Sequence, residues 1–150
     1  MRFSLDTFGE RKPPRKRTEA TLQATLMADL ETLLPRDAIA FSVPNGGQRN
    51  IIEAANFKRQ GVKAGIPDIL ICHQGRVVGL ELKSQGGALS DSQKTMFPKL
   101  RTAGMRIEVA RSHGEALERI REMGVPLRSI ENRNYDVRDV FRSESKRGRA

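Results

Sequence analysis

Apolar residues recur along this chain at two spacings. Leu22, Leu26, Leu30, Leu33 and Leu34 fall at helical intervals and make one face. Thr18 stands where an N-cap belongs, just after the Pro13-Pro14 break, and Pro35 stops the segment, so the pattern predicts a helix from there to about Leu34. Residues 38–43 are a short strand candidate, ended by the turn or loop Pro44-Asn45-Gly46-Gly47. Residues 51–60 read as a shorter helix with Gly61 as its stop. Two apolar runs, 69–72 and 77–82, read as strands broken by His73-Gln74-Gly75-Arg76. A Gly-rich loop over 84–89 leads into Ser90-Asp91-Ser92-Gln93, a capping box that opens a helix to about Ala103. Pro98 inside that helix is expected to kink or split it. Residues 105–110 form a further strand, and Ser112-His113-Gly114-Glu115 is a second capping box, opening a helix that ends at Gly124. Beyond it periodicity is lost, and residues 126–150 receive no fold. The order α, β, α, β, β, α, β, α predicts an α/β protein, a mixed β-sheet with helices on both faces.

The two central strands carry a geometric consequence. If they form a tight hairpin with Gln74-Gly75 at its tip, Asp68 falls opposite Glu81. Directly opposed side chains point to one face, with Cβ atoms about 5 Å apart. Lys83, two residues beyond Glu81, shares that face. A one-residue slip would separate the three, so the reading depends on register. Gln-Gly is not the preferred Asn-Gly turn, though a longer loop with the same centre keeps the pairing. Leu70, Cys72 and Val77 lie on one face of these strands and Ile69, Ile71, Val78, Leu80 and Leu82 on the other, a pattern of central, covered strands. Charges at the ends of such strands are costly and need a reason.

Two close carboxylates repel unless one takes a proton or a cation joins them. A hard dication with oxygen ligands answers this, and Mg²⁺ commonly uses one or two carboxylates plus waters and substrate phosphates. Asp68 and Glu81 are the candidate ligands, with the Leu82 carbonyl between them completing the set. Lys83 is placed to hold an attacking water or to offset charge growing on a phosphate. By itself Pro-Asp followed by Glu-x-Lys is a weak pattern, and an exposed cluster of this kind also occurs as an ordinary surface salt bridge.

Composition favours the chemical reading. The formal net charge is +9 and the pI about 10.4, so a polyanion is the natural partner of a chain that is still 37% hydrophobic and therefore globular. Its 150 residues suggest one domain: a basic N-terminal tail over 1–17, a folded domain over 18–124 and a basic C-terminal extension over 125–150. The single cysteine, Cys72, permits neither an internal disulfide nor a Cys-rich zinc site, and points to a reducing, cytoplasmic compartment. No run has the length of a signal peptide core or a membrane span. Lys63, Lys94, Arg49 and Arg59 flank the expected cleft as candidate phosphate contacts. His73, at the far end of the hairpin, and His113, in the first turn of a helix, are not read as ligands. Six Phe, one Tyr and no Trp show no base-stacking platform, which argues against a single-strand reader.

The run Gly65-Ile66-Pro67-Asp68-Ile69-Leu70-Ile71, followed by Gly79-Leu80-Glu81-Leu82-Lys83-Ser84-Gln85-Gly86-Gly87-Ala88-Leu89-Ser90-Asp91-Ser92-Gln93, resembles the VRR-NUC family of the PD-(D/E)xK nuclease superfamily. The resemblance covers about residues 18–123 and is specific over 65–93. It implies a restriction-endonuclease-like core, a mixed sheet flanked by helices. It also implies Mg²⁺ or Mn²⁺ held by Asp68, Glu81 and the Leu82 carbonyl, with Lys83 as the catalytic lysine. Glu19 matches an additional acidic position that reaches the metal through water, although a first-turn acid also suits the helix dipole. Gln93 matches a glutamine near the site, although capping alone explains it. Where the family carries a Val-Arg-Arg signature in a segment of phosphate contact, this chain reads Val109-Ala110-Arg111, and only Arg111 matches, at the last position. Small stand-alone members resemble archaeal Holliday-junction resolvases, homodimers acting on branched DNA, and are often encoded by phages. The expectation is a Mg²⁺-dependent, structure-selective DNA endonuclease of recombination or repair, working as a homodimer in a bacterial or phage-infected cytoplasm. The alternatives are a sequence-specific or RNA-directed nuclease of the same superfamily, or a non-catalytic nucleic-acid-binding accessory protein.

Overall fold

The computed structural model describes residues 18–44 and 51–129. The two tails up to residue 17 and from residue 130, the Asn45-Gly46-Gly47 turn and Arg49 lie outside them. Eight elements follow in the expected order: α1 (Glu19–Leu33), β1 (Ala38–Ser42), α2 (Ile51–Arg59), β2 (Ile69–His73), β3 (Arg76–Leu82), α3 (Asp91–Thr102), β4 (Arg106–Ala110) and α4 (His113–Glu122). The strands form one sheet in the order β1-β2-β3-β4. β1 and β3 run antiparallel to β2, and β4 lies parallel to β3 because α3 carries the chain back across the sheet.

The hairpin has the predicted register, from Ile69 opposite Leu80 to His73 opposite Arg76. Gln74 and Gly75 both have positive φ, 49° and 75°, which is the two-residue turn whose twist matches the flanking strands. Gln74 accepts the left-handed conformation that asparagine would take more readily. Its amide also donates weakly to Asp37, 3.4 Å away, at the start of β1.

The main core lies between one sheet face and the helices α1 and α4. Leu22, Leu26, Leu30 and Leu34 pack on Ile69, Ile71, Val78, Leu80 and Leu82, and Ala116 and Ile120 close the layer from α4. Thr18 caps α1 by accepting the Thr21 N–H. His113 Nε2 meets the Asp29 carboxylate at 2.7 Å and ties α4 to α1. Val125 is buried in this core, and the Arg128 N–H donates to Leu33, so packing continues to the last described residues.

α3 packs on the opposite face over β4 and reaches β3 through the Gln93–Glu81 hydrogen bond, with Phe97 fully buried. Pro98 does not split it: one helix runs through the proline. The ring is exposed, so the carbonyl it leaves without an amide partner faces water, where the loss is smallest. The expectation that both faces of the central strands are covered holds only in part. Towards β1 the α3 face stays open, with Val77 37% and Phe41 42% exposed, because α3 is too far along the sheet to reach them. The second predicted capping box is also modified. Ser112 accepts the Glu115 N–H, but Glu115 reaches one residue further back and accepts the Arg111 N–H at 2.8 Å.

Candidate active site

Asp68 sits just before β2, immediately beyond the last hairpin pair, and so stands opposite Glu81. Its carboxylate accepts the Leu82 N–H at 2.9 Å. That amide would have served the next rung of the ladder; the side chain replaces the strand that has ended. In a strand the N–H and C=O of one residue leave on the same edge, so the Leu82 carbonyl also faces the Asp68 side. Lys83 faces the other way, its N–H donating to Ala110 on β4 at 2.9 Å.

Two glycines bring this segment into place. Gly65 has φ +82°, and a Cβ there would fall on the backbone of Ser92 and Gln93 at the start of α3. Gly79 lies under Pro67, where a Cβ would come within 2.7 Å of the ring. The residue before Asp68 is thus seated on β3, and the loop before it is seated on α3. The sequence singled out both glycines only as parts of a motif, and their contacts across the fold could not be read from it.

Glu81 is 1% exposed. Oε1 accepts from Lys83 Nζ at 2.8 Å and from Gln93 Nε2 at 2.6 Å. Oε2 is buried and has no hydrogen-bond partner. Burial pushes the Glu81 carboxyl above its ordinary range; the hydrogen bond from Lys83 opposes that, and the nearby Asp68 charge adds to it. Gln93 has two duties at once. Its Oε1 accepts the Ser90 N–H in the capping box while its Nε2 holds Glu81. Capping and proximity to the site are therefore compatible readings of one amide.

Glu19, the first residue of α1, accepts the Ser84 N–H at 2.6 Å. It lies beside the strand end, fixing the residue after Lys83. The described candidates for phosphate contact differ in what they touch. Lys63 is exposed; Lys94 is exposed and 3.5 Å from Asp91; Arg59 donates to Asn56 on its own helix. Arg111 is half-buried, its guanidinium donating to the Gly87 carbonyl at 3.0 Å. His73 and His113 pair with Asp37 and Asp29, away from the carboxylates.

A divalent cation fits what is present. The donors are hard oxygens, two carboxylates and a carbonyl, and one carboxylate oxygen is buried without a partner. Among the described residues no group of three His, Cys, Asp or Glu side chains is spaced to hold a metal ion.

The family profile of the VRR-NUC domain matches residues 11–114. A solved structure of a VRR_NUC domain protein shares the fold, with a TM-score of 0.54 over 72% of this chain and 91% of its own, at 22% identity. No curated protein matches the chain. Among the described residues no helix is long and apolar enough to cross a membrane. The profile spans more than half of the sequence, and the chain belongs to the VRR-NUC family of nuclease domains.

Proposed function

We propose that this chain is a metal-dependent, structure-selective DNA endonuclease that hydrolyses phosphodiester bonds. The observation that carries the reading is Glu81: a buried carboxylate facing Asp68, with one oxygen held by Lys83 and Gln93 and the other left free. A carboxylate kept in that state is costly for folding alone and useful to a hard cation. Asp68, Glu81 and the Leu82 carbonyl would hold Mg²⁺ or Mn²⁺. Held there, such an ion would supply an acidified water and would offset charge on the phosphate oxygens.

The residues of the chain supply the rest. Gln93 fixes Glu81 so that Oε2 keeps its aim. Lys83 spends one N–H on Glu81 Oε1 and has two left, enough to orient a water or to donate to a phosphate oxygen. Its side chain is 14% exposed, so water competes little with those bonds. The net charge of +9 draws the DNA backbone to the surface without reading sequence.

Branched DNA is the favoured substrate, because the sequence carries no recognisable base-reading module and DNA shape is then the source of selectivity. A homodimer would set two such sites on two strands. The nuclease unit is taken to start at residue 18 and to run past residue 124, since Val125 is buried in the core and Arg128 is bonded to Leu33; the basic residues before and after it would add phosphate contacts, in the cytoplasm of a bacterial or phage-infected cell.

The test is cleavage of a four-way junction, a nicked duplex, a linear duplex and RNA, each with Mg²⁺ and with EDTA. Cutting of the junction in Mg²⁺ alone is expected. Cleavage of RNA, or of one linear sequence, would reassign the substrate within the same chemistry. Binding with no cleavage of any substrate in Mg²⁺ would leave an accessory protein.

A further inference from the structure

The loop over residues 84–89 joins the two side chains that hold Glu81. Lys83 stands at its start, and Gln93 lies one helical turn after its end. Three ties fix it. Ser84 is held by Glu19. The Gly87 N–H closes a turn on the Ser84 carbonyl at 2.9 Å, with Gly86 at φ +78° as the turn requires. The Gly87 carbonyl accepts from Arg111 at 3.0 Å.

We infer that Arg111 is a positioning residue, which acts through the Gly87 carbonyl to hold Lys83 and Gln93 on Glu81, and that phosphate contact is not its main work. The guanidinium is placed for this by its own backbone. The Arg111 N–H is fixed by Glu115 at 2.8 Å, and the preceding residue, Ala110, accepts the Lys83 N–H at 2.9 Å. One end of β4 therefore grips the catalytic strand by its main chain and the following loop by a charged side chain. A charge-assisted bond to a carbonyl is among the stronger ties a loop can have, and a half-buried guanidinium already engaged there is a poor phosphate clamp.

The inference rests on the nuclease reading, and its experiment separates the two. Arg111→Met keeps the apolar stem and removes the donors; Arg111→Lys restores one donor. In the full chain, without DNA, Mn²⁺ binding is read by electron paramagnetic resonance, and amide exchange is read over residues 85–89. With the junction, kcat and KM are read across salt concentrations. The Met variant should bind Mn²⁺ about tenfold more weakly and lose about tenfold in kcat, the scale on which groups that orient ligands act. Its KM and salt slope should stay unchanged, its exchange at 85–89 should quicken, and the Lys variant should recover part of each loss. A raised KM with a salt slope smaller by about one would make Arg111 a phosphate contact and overturn the inference. So would unchanged Mn²⁺ affinity and kcat. If the wild type neither binds Mn²⁺ nor cleaves, the nuclease reading fails on its own. Exchange at 85–89 then still decides whether Arg111 holds the loop, and no change in the Met variant refutes the clasp. Should the Met variant fail to fold, the Lys variant carries the same readings, and wild-type exchange in it with weakened DNA binding would equally overturn the inference.

Discussion

Gly79 lies directly beneath the ring of Pro67, close enough that a methyl group at position 79 would stand 2.7 Å from Pro67 Cγ. Position 79 is mid-strand, where alanine is ordinarily neutral or better than glycine. Here Gly79→Ala must push Pro67 off the strand, and Asp68 moves with it. The expected result is a loss of about 1–3 kcal/mol in chemical denaturation, the range for an overpacked core site, together with a fall in cleavage. Gly65→Ala should cost more, because the clash is with backbone at the start of α3 and the conformation is left-handed. An alanine at position 79 with wild-type stability and activity would show that the Pro67 contact does not seat Asp68.

Glu81→Gln should reverse sign between stability and activity. The folded-state pKa of Glu81 is raised above its ordinary value of 4.5, first by burial. The folded state therefore holds that proton more tightly than the unfolded chain. The contribution of this carboxyl to stability is full below about 4.5 and is lost as pH rises through the folded-state value. In EDTA at neutral pH the Gln variant should melt above the wild type, by about 2–4 °C if the difference is near 1 kcal/mol. The gap should close as the medium is acidified. Added Mg²⁺ should raise the wild-type melting temperature by mass action and leave the variant unmoved. Thermal melts at several pH values, with and without the cation, check all three statements.

Most of this arrangement was legible in the sequence, and the reasons differ by residue. The register of Asp68 against Glu81 followed from period-two alternation and a tight turn, and Ile69 does lie opposite Leu80. The helix α1 followed from leucine spacing, and its buried residues are Leu22, Leu26, Leu30 and Leu33. What could not be read was contact between elements distant in sequence. Nothing local says that Glu19 will meet Ser84, that Arg111 will hold Gly87, or that Gly65 will lie on Ser92. Helix α3 is not split at Pro98, since propensity treats every helix interior alike whereas an exposed turn can leave the missing bond to water. The covered face was overestimated because alternation reports apolar residues and not the reach of the helix above them.

The two duties of Gln93 can be separated. Ser90→Ala removes the side chain that accepts the Gln93 N–H and should cost about 1 kcal/mol, as cap losses do. Cleavage should change little, because the Gln93 amide still reaches Glu81. Gln93→Ala removes both bonds, so the same loss of stability should come with a clear loss of cleavage. If the two variants lose activity equally in proportion to stability, Gln93 is only a cap. Denaturation curves and initial rates on one substrate are sufficient.

Lys83→Met tests the chemistry most directly. The side chain is nearly buried and its ammonium is 2.8 Å from Glu81 Oε1, so methionine keeps most of the packing and removes only the charge and its donors. Glu81 then loses one of its two partners on Oε1, a change that by itself favours protonation of an already burdened carboxyl. Cleavage should fall by about 10²–10⁴-fold, the range for a group that moves or orients a proton in the transition state. DNA affinity should stay within about twofold, since a single inward-facing lysine contributes little to a counterion-driven interface. The binding itself should weaken steeply with added salt in both proteins, with the same slope. A variant that lost affinity in step with activity would place Lys83 on the DNA backbone; one that cut at the wild-type rate would remove it from the reaction.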